Sequence, residues 1–285
     1  MKERNWRLFR NRRENKRIQE LIDYLEKVNT GQEGVLLTTG EDAVSKLQDE
    51  IYKTVTELYQ TREAALEARK RLAQNLDNIA HQIKTPITSL SLSVQMMSEA
   101  PSPEHLKEIR RQLSRLTYLE ESLLLLARVD AGTLFLEKKE VDVFTVLTLA
   151  ADNLQELFKK AGVSVSIPES GEMLILADMD WTMEAVMNLM KNCMEHTLPG
   201  GVVFCSYEEN PLYVQIRIWD NGTGFDKEEI PYLFERFYRG KNAKAGSIGI
   251  GLALVKEIVE RQNGTVTAEN SVDGGACFTI RFYRH

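Results

Sequence analysis

Apolar residues recur every three or four positions over the first half of the chain, which is the spacing of amphipathic helices. Ile18, Leu21, Ile22, Leu25 and Val28 predict one short helix within residues 1–40, and three glycines then predict a loop. A second helical pattern starts near residue 44 and runs past a proline at 86 to a proline at 101. We therefore expect one long helix over this stretch.

The long helix carries a possible coiled-coil seam. Between Val44 and Ile79, apolar or small residues are separated by alternating steps of three and four. The seam is weak because Thr, Ala and Asn occupy several of its positions. A poorly packed seam suits a stalk that transmits a signal, although a plain helical hairpin would give the same pattern.

A second amphipathic helix is expected to start at Ser102 or Pro103 and to end at the turn Asp130-Ala131-Gly132. The two helices would form a hairpin. A hairpin cannot bury its apolar stripe alone, whereas two copies can do so as a four-helix bundle. We therefore expect a homodimer through about residues 44–130.

The pattern changes after residue 140, where short alternating segments mix with helical ones. Residues 213–219 alternate apolar and polar side chains, as a half-buried strand does. Strands with interspersed helices and no regular βαβ repeat indicate an α+β sandwich. The predicted helices cover residues 143–161 and 180–197, and the predicted strands cover residues 163–167, 173–177, 202–207, 212–219, 265–269 and 276–283.

Composition narrows the possible classes of protein. The 285 residues are 43% hydrophobic and carry a net charge of −6, which disfavours nucleic acid as a partner. Three scattered cysteines without a CxxC pair predict buried, reduced thiols and not a disulfide framework. No stretch contains the roughly 20 apolar residues of a membrane helix. A basic run with Trp6 near the N-terminus could lie just inside a membrane, or could be the frayed start of a helix.

His81 is the first candidate for chemistry. Pro86 removes one hydrogen bond from the helix, so we expect a bend that exposes the imidazole on a solvated face. Neutral imidazole is nucleophilic and can accept a phosphoryl group. A lone histidine on a helix is more often structural, so this hypothesis depends on the other motifs.

Two polar clusters could bind a nucleotide. Asn188 and Asn192 lie one helical turn apart on the same face, where amide oxygens can coordinate Mg²⁺. Asp220 follows a predicted strand and can accept a hydrogen bond from an adenine amino group, while Gly222 and Gly224 allow the backbone to approach the base. Each cluster alone is weak, since a surface stripe or a hairpin turn has the same residues.

A glycine-rich segment, residues 246–252, precedes a helical pattern. Glycines at a helix N-terminus present backbone N–H groups and the positive end of the helix dipole to phosphate. No strand directly precedes this segment, so it fits neither the dinucleotide fingerprint nor a Walker loop.

The order of these motifs resembles that of the sensor histidine kinases of two-component systems. The resemblance covers about residues 75–283, and Gly274-Gly275 is similar to the glycine turn before the last strand of the family. The matching segments are residues 81–86 for the H box, 188–197 for the N box, 220–224 for the first glycine box, 233–238 for the F box and 246–252 for the second glycine box.

This resemblance implies an α + (α+β) fold, in which a long helical hairpin forms a dimeric four-helix bundle and an α/β-sandwich ATPase domain follows. It implies a basic juxtamembrane-like linker over residues 1–43, a coiled-coil stalk with a dimerisation and phosphotransfer hairpin over 44–132, and an ATP-binding domain over 140–285. The implied activity is autophosphorylation of His81 by ATP with Mg²⁺, followed by transfer to an aspartate of a response regulator. The implied location is the cytoplasm, at the inner face of the membrane or after a missing transmembrane segment.

The resemblance also assigns roles to single residues. Asn192 is implied as the ligand of the Mg²⁺ that accompanies ATP, Asn188 would lie beside the phosphates, and Asp220 would hold the adenine. The other implied nucleotide contacts are Gly222, Gly224, Arg239, Lys241, Lys244, Gly249 and Gly251.

Some positions depart from the family pattern. Gln82 stands where the family usually has Glu or Asp, and an amide cannot take a proton from His81. Thr85 matches the position that often serves dephosphorylation of the partner regulator. Glu195 and His196 replace a basic and an aromatic residue, and Glu195 is expected to point away from the phosphates or to meet Mg²⁺.

These departures leave two alternatives to an active kinase, namely a catalytically impaired ATP-binding scaffold and a phosphatase-dominant member of the family. A chaperone or mismatch-repair ATPase is disfavoured, because those proteins lack the hairpin.

Overall fold

The computed structural model describes residues 2–29, 43–241, 247–271 and 274–284, with side chains from residue 15 onward except that of residue 43. The chain divides into two compact units, Met1–Leu76 and Asp77–His285. The predicted loop after the first helix lies outside the described residues, and so do most side chains of the basic run. No helix in the described part of the chain offers an apolar stretch long enough to cross a bilayer.

The first unit contains two helices. Helix α1 (Lys2–Asn29) has 28 residues, so the prediction of a short helix was wrong. The amphipathic pattern covers only its second half, but the preceding Arg, Lys and Glu residues are good helix formers and extend it. Helix α2 (Ala43–Glu99) begins in this unit and continues into the second one.

Polar and apolar contacts join α1 to the start of α2. Arg17 donates hydrogen bonds to Ser45 Oγ and to Gln48 Oε1, both at 2.7 Å. Leu21 of α1 and Val55 of α2 are buried. Further along, the side chains of residues 61–74 are all exposed. Because a single chain does not bury this stretch, the coiled-coil seam stays a prediction.

The second unit opens with the predicted helical hairpin. Helix α2 remains helical across Pro86 and ends at Glu99. Helix α3 (Pro103–Asp130) then begins at a proline, and the Ser102 hydroxyl caps it by accepting a hydrogen bond from the Glu104 N–H at 3.1 Å. Its end is followed by Gly132 in the left-handed region, as expected.

The rest of this unit is an α/β sandwich, which confirms the predicted fold class. The helices are α4 (Val143–Ala161), α5 (Met179–His196) and α6 (Gly251–Arg261), and the strands are β1 (Lys139–Asp142), β2 (Ser164–Ser166), β3 (Leu174–Ala177), β4 (Val202–Glu209), β5 (Tyr213–Asp220), β6 (Gly264–Asn270) and β7 (Ala276–Tyr283). A five-stranded sheet has the order β2-β4-β5-β7-β6, in which only the β2–β4 pair is parallel, and β1 pairs with β3 in a separate two-stranded sheet.

The predicted helices and strands of this domain are present, with ends displaced by at most two residues. Helix α4 has the predicted bounds because Asp142 caps its start and Gly162, in the left-handed region, stops it. Strand β1 was not predicted, because three of its four residues are charged. It exists through its pairing with β3 and not through its own sequence pattern.

The three helices α4, α5 and α6 contribute to one apolar core with the five-stranded sheet. The alternation of β5 points Val214, Ile216 and Ile218 into that core, where each is at most 1% exposed. The same alternation brings Asp220, the last residue of β5, to the buried side. A carboxylate is therefore held at the end of an otherwise apolar row.

A second apolar cluster joins the hairpin to the sandwich. We call it the docking cluster: Leu119 and Leu126 of α3 pack with Ile248 and Ile250, which precede α6. All four are buried, with at most 5% exposure. Removing this apolar surface from water favours contact between the hairpin and the loop.

Arg236 adds an ionic bridge beside the docking cluster. Its guanidinium donates to both carboxylate oxygens of Asp130, at 2.7 Å each, and to Glu257 Oε1 at 2.9 Å. The hydrogen bond from Arg236 lowers the pKa of Asp130, and the Asp130 carboxylate raises the pKa of Arg236. Arg261 also donates to the carbonyl oxygen of Val129. Because a bidentate pair is directional, these contacts fix the orientation of the sandwich on the end of α3.

The turn before β7 passes very close to Asp220. Gly275 has φ +87°, and a Cβ atom built there would lie 1.9 Å from the backbone oxygen of Asp220. Gly171 has a similar φ of +91°, but a Cβ atom built there would meet nothing within 4 Å. A side chain at either glycine would strain the backbone, but only at Gly275 would it also collide with another part of the chain.

We predict that Gly171→Ala costs about 1 kcal/mol of stability, from left-handed backbone strain alone. Gly275→Ala should cost clearly more, because the β5 end must move as well. Urea unfolding followed by tryptophan fluorescence measures both variants against the wild type. Equal losses for the two variants would contradict the close approach at Gly275.

Candidate active site

A cavity of about 550 Å³ lies between α3 of the hairpin and the sandwich. This size suits a small-molecule ligand. Helices α3 and α5 contribute to its walls, as do residues 238–240 and 247–252. Of the residues predicted to bind a nucleotide, the cavity wall contains Asn188, Asn192, Gly224, Arg239, Gly249 and Gly251.

The two asparagines of α5 differ in their contacts. Asn188 Nδ2 donates to the backbone oxygen of Glu184 at 2.9 Å and to its Oε1 at 2.8 Å. Asn192 Oδ1 is buried and has no hydrogen-bond partner among the described residues. Leaving a buried acceptor unpaired costs free energy unless a ligand pairs with it. An unpaired amide oxygen in the wall of this cavity could therefore serve as a ligand of Mg²⁺.

Asp220 presents a second unpaired hydrogen-bond acceptor. It is 1% exposed, and its Oδ1 accepts hydrogen bonds from the backbone N–H groups of Gly222 at 2.8 Å and Ala276 at 3.2 Å. Its Oδ2 is buried and has no hydrogen-bond partner in the described part of the chain. A carboxylate oxygen in this position fits an N–H donor such as the amino group of a purine.

Asp220 and Gly222 do not line the cavity themselves. A Cβ atom at Gly222 would lie 2.3 Å from the backbone oxygen of His196, which does line it. They therefore form a layer directly behind this part of the wall. Next to Asp220, burial and then the Asp220 charge raise the pKa of the Cys193 thiol, so the thiol stays protonated. All three cysteines are free and buried, as predicted.

The second glycine segment needs glycine for steric reasons. Gly249 has φ +79°, and a Cβ atom there would lie 2.3 Å from the backbone oxygen of Tyr238. Helix α6 starts at Gly251 without a side-chain cap, so its first backbone N–H groups are available to a ligand. The helix N-terminus at the cavity wall thus suits a phosphate group.

Three cations between residues 239 and 244 were predicted to contact the nucleotide, and they differ in position. Arg239 lines the cavity. Lys241 does not line it, and its Nζ pairs with Asp226 Oδ2 at 3.1 Å, which raises the pKa of Lys241. Lys244 lies outside the described residues. Of the two predicted cations that the structure describes, it brings Arg239 to the cavity and not Lys241.

The predicted phospho-acceptor His81 lies on α2, together with Gln82 and Thr85, which were predicted to act beside it. His81 and Thr85 are exposed, and the Thr85 hydroxyl donates to the backbone oxygen of His81 at 3.2 Å. Gln82 Oε1 accepts a hydrogen bond from Arg115 Nη2 at 3.1 Å. None of these three α2 residues lines the cavity, but Arg115 does. The hairpin therefore reaches the cavity through α3.

Sequence reasoning missed the hairpin side of the cavity. Arg111, Arg115 and Tyr118 line it from α3, and Lys191 Nζ lies 5.0 Å from the centre of the Tyr118 ring. These residues stand between the apolar positions of α3 and carry no motif, so no local signal could have found them. Glu195 and His196 also line the cavity. Of the two expectations for Glu195, this position disfavours the one that it points away, and contact with Mg²⁺ stays a prediction.

Two family models match the chain. The model described as "His Kinase A (phospho-acceptor) domain" matches residues 71–132, which include His81. The model described as "Histidine kinase-, DNA gyrase B-, and HSP90-like ATPase" matches residues 177–285, which include Asp220 and the glycine segments. Together they cover more than half of the chain.

Two related proteins of similar sequence are kinases of signal transduction by name. The signal transduction histidine-protein kinase BaeS of Escherichia coli (strain K12) is 27% identical over 271 residues, which are 92% of this chain and 56% of BaeS. The sensor protein kinase PmrB of Pseudomonas aeruginosa is 33% identical over 218 residues, which are 74% of this chain and 44% of PmrB. The chain spans about half the length of these relatives.

Solved structures share the fold. The histidine kinase AdeS of Acinetobacter baumannii aligns with a TM-score of 0.60 and 23% identity, over 71% of this chain and 97% of that one. The histidine kinase ThkA, solved in complex with the response regulator protein TrrA, aligns with a TM-score of 0.63 and 21% identity, over 80% of this chain and 67% of that one. With a phospho-acceptor hairpin followed by a histidine kinase-type ATPase domain, the chain belongs to the sensor histidine kinases of two-component systems.

Proposed function

We propose that this chain is an ATP-dependent protein-histidine kinase, which phosphorylates its own His81 and passes the phosphoryl group to an aspartate of a response regulator. One observation carries the proposal: the hairpin that bears the exposed His81 also forms a wall of the cavity that holds the nucleotide-binding motifs. An ATPase that acts on water would not need this hairpin.

Two buried, unpaired polar atoms would each bind a different part of the nucleotide. Asp220 Oδ2 would accept the hydrogen bond of the adenine amino group, and Asn192 Oδ1 would ligate Mg²⁺. When bound, Mg²⁺ neutralises charge on the phosphates. The N-terminus of α6 and Arg239 would bind the phosphates. The glycines named above let the backbone approach the nucleotide closely.

The transfer itself is a displacement at the γ-phosphorus. The lone pair of one His81 ring nitrogen forms the N–P bond, the bond from the γ-phosphorus to its bridging oxygen breaks, and ADP leaves with that electron pair. The proton on the other ring nitrogen passes to water, because His81 is exposed and the Gln82 amide is not a base. The protein contributes position and charge compensation.

A second copy of this chain is the proposed partner of the hairpin. Leu92, Leu106 and Leu113 are 57%, 42% and 50% exposed in the single chain, which is unusual for leucines on the apolar side of a helical hairpin. Packing two hairpins into a four-helix bundle would bury such positions.

The response regulator is the proposed recipient of the phosphoryl group. The complex of ThkA with a response regulator supports this choice for a chain of the same fold. Thr85, exposed one helical turn after His81, would serve dephosphorylation of that regulator by positioning water.

We predict that the purified chain, incubated with Mg²⁺ and γ-labelled ATP, acquires label that is stable to alkali and labile to acid. His81→Ala should acquire none, because the nucleophile is absent, although it should still bind ATP. His105→Ala is a matched control, since it removes a histidine from the other hairpin helix. An unlabelled wild type that binds ATP would leave the impaired scaffold or the phosphatase as the function.

We also predict that Asp220→Asn weakens ATP binding by about 10- to 100-fold, the usual value of a hydrogen bond to a charged group. The Asn oxygen still accepts the two backbone hydrogen bonds, so the fold should persist, whereas its NH₂ group faces the adenine amino group as a second donor. Calorimetric titration with ATP measures the Kd. Asp152→Asn, at an exposed position of α4, controls for the change in charge. An unchanged Kd for Asp220→Asn would exclude Asp220 as the adenine acceptor.

A further inference from the structure

We infer that Arg115 of α3 is a catalytic residue of the phosphoryl transfer, whose guanidinium contacts the γ-phosphoryl group as it passes from ATP to His81. This inference rests on the proposed kinase function and adds a residue from the hairpin to it. Arg115 lines the cavity and donates to the side chain that follows His81 in the chain. The Arg115 side chain thus reaches from the cavity to Gln82, the residue next to the phospho-acceptor His81.

The guanidinium of Arg115 has hydrogen-bonding capacity to spare. It has five N–H donors, and its Nη2 donates to Gln82 Oε1 at 3.1 Å. Its Nε is buried and lacks a partner within the described part of the chain. A buried, charged donor without a partner is costly, so it points to an anionic ligand that completes the site.

The neighbouring Arg111 shows the contrast. It also lines the cavity, but it donates to both carboxylate oxygens of Glu108 at 2.8 Å. Arg115 forms no ion pair with a carboxylate of the described residues. Of the three acidic residues in the cavity wall, Asp226 accepts a hydrogen bond from Lys241 Nζ at 3.1 Å, and Glu229 accepts one from the Lys241 backbone N–H at 2.8 Å. The third, Glu195, is not among the charges that shift the pKa of Arg115. The charge of Arg115 is therefore available to a ligand.

The charges around Arg115 are of the same sign. Desolvation by burial, followed by the positive charges of Arg239 and Arg111, lowers the pKa of Arg115. Arg115 belongs to the hairpin and Arg239 to the sandwich, and both line one cavity. Like charges brought together from two domains repel each other unless an anion lies between them. A γ-phosphoryl group, which moves between these two domains, is such an anion.

Gln82 has a function in this arrangement as a positioning residue. A carboxylate at position 82 would form an ion pair with Arg115 and cancel much of its charge. The neutral amide holds the guanidinium by one hydrogen bond and leaves its charge for the phosphate. Arg115 forms no covalent bond. It donates to a non-bridging oxygen of the γ-phosphoryl group while the N–P bond to His81 forms and the P–O bond to ADP breaks.

The test compares the full chain with Arg115→Ala, Arg115→Lys and Arg110→Ala. Arg110 is an exposed arginine of the same helix outside the cavity wall, so its loss controls for charge and helix content. Acid-labile label on His81 is followed in single-turnover reactions with saturating Mg²⁺ and ATP, and the Kd of ATP is measured separately. Guanidinium ion is then added to the Arg115→Ala variant.

We predict that Arg115→Ala lowers the transfer rate by about 100-fold, as removal of one charge-stabilising donor does in other enzymes. The Kd of ATP should rise by much less than the rate falls, because the contact is stronger in the transition state than with bound ATP. Added guanidinium should restore part of the rate, Arg115→Lys should retain part of it, and Arg110→Ala should match the wild type.

Three results would overturn the inference. A wild-type rate in Arg115→Ala would remove Arg115 from the mechanism and leave the kinase intact. A slow rate that follows weaker ATP binding, without rescue by guanidinium, would show a structural role. A wild type that binds ATP without labelling His81 would overturn the kinase function and the inference together.

Discussion

The packing of Ile248 and Ile250 against Leu119 and Leu126 decides where the nucleotide cavity lies relative to the phospho-acceptor hairpin. The two isoleucines flank Gly249, so the apolar contact also positions the glycine segment that precedes α6. Apolar packing is non-directional. The ionic bridge from Arg236 to Asp130 and Glu257 supplies the direction. Together they bring α3 to the cavity as one of its walls.

The buried, unpaired polar atoms around the cavity share one explanation. A folded chain satisfies nearly all of its buried hydrogen-bonding groups, so each exception needs a reason. Among the described residues, four such exceptions lie at or directly behind the cavity wall: Gln112 Oε1, Asn192 Oδ1 and Asp220 Oδ2, which accept hydrogen bonds, and Arg115 Nε, which donates. They match the acceptors and the donor that a metal-bound, amino-bearing, anionic nucleotide requires.

Much of the fold could be predicted from the sequence because its signals are local. The spacing of apolar residues in the hairpin, the Ser102 cap and the stop at Gly162 each act within a few residues. Strand β1 could not be predicted, since only pairing with β3 makes a strand of its charged residues. The same limit applies to the site. Asn188, Asn192 and Asp220 belong to local motifs, whereas Arg115 and Tyr118 reach the cavity only through the docking of two domains. The pairing of Lys241 with Asp226 is likewise a contact between residues 15 positions apart.

The most direct measurement is the stoichiometry of ADP and phosphohistidine in a single turnover of the full chain. If the cavity serves transfer to His81, each ADP released should be matched by one phosphohistidine, and His81→Ala should form ADP only at the background rate. Release of ADP by His81→Ala at the wild-type rate would mean that water accepts the phosphoryl group, and that the hairpin wall of the cavity serves a different reaction.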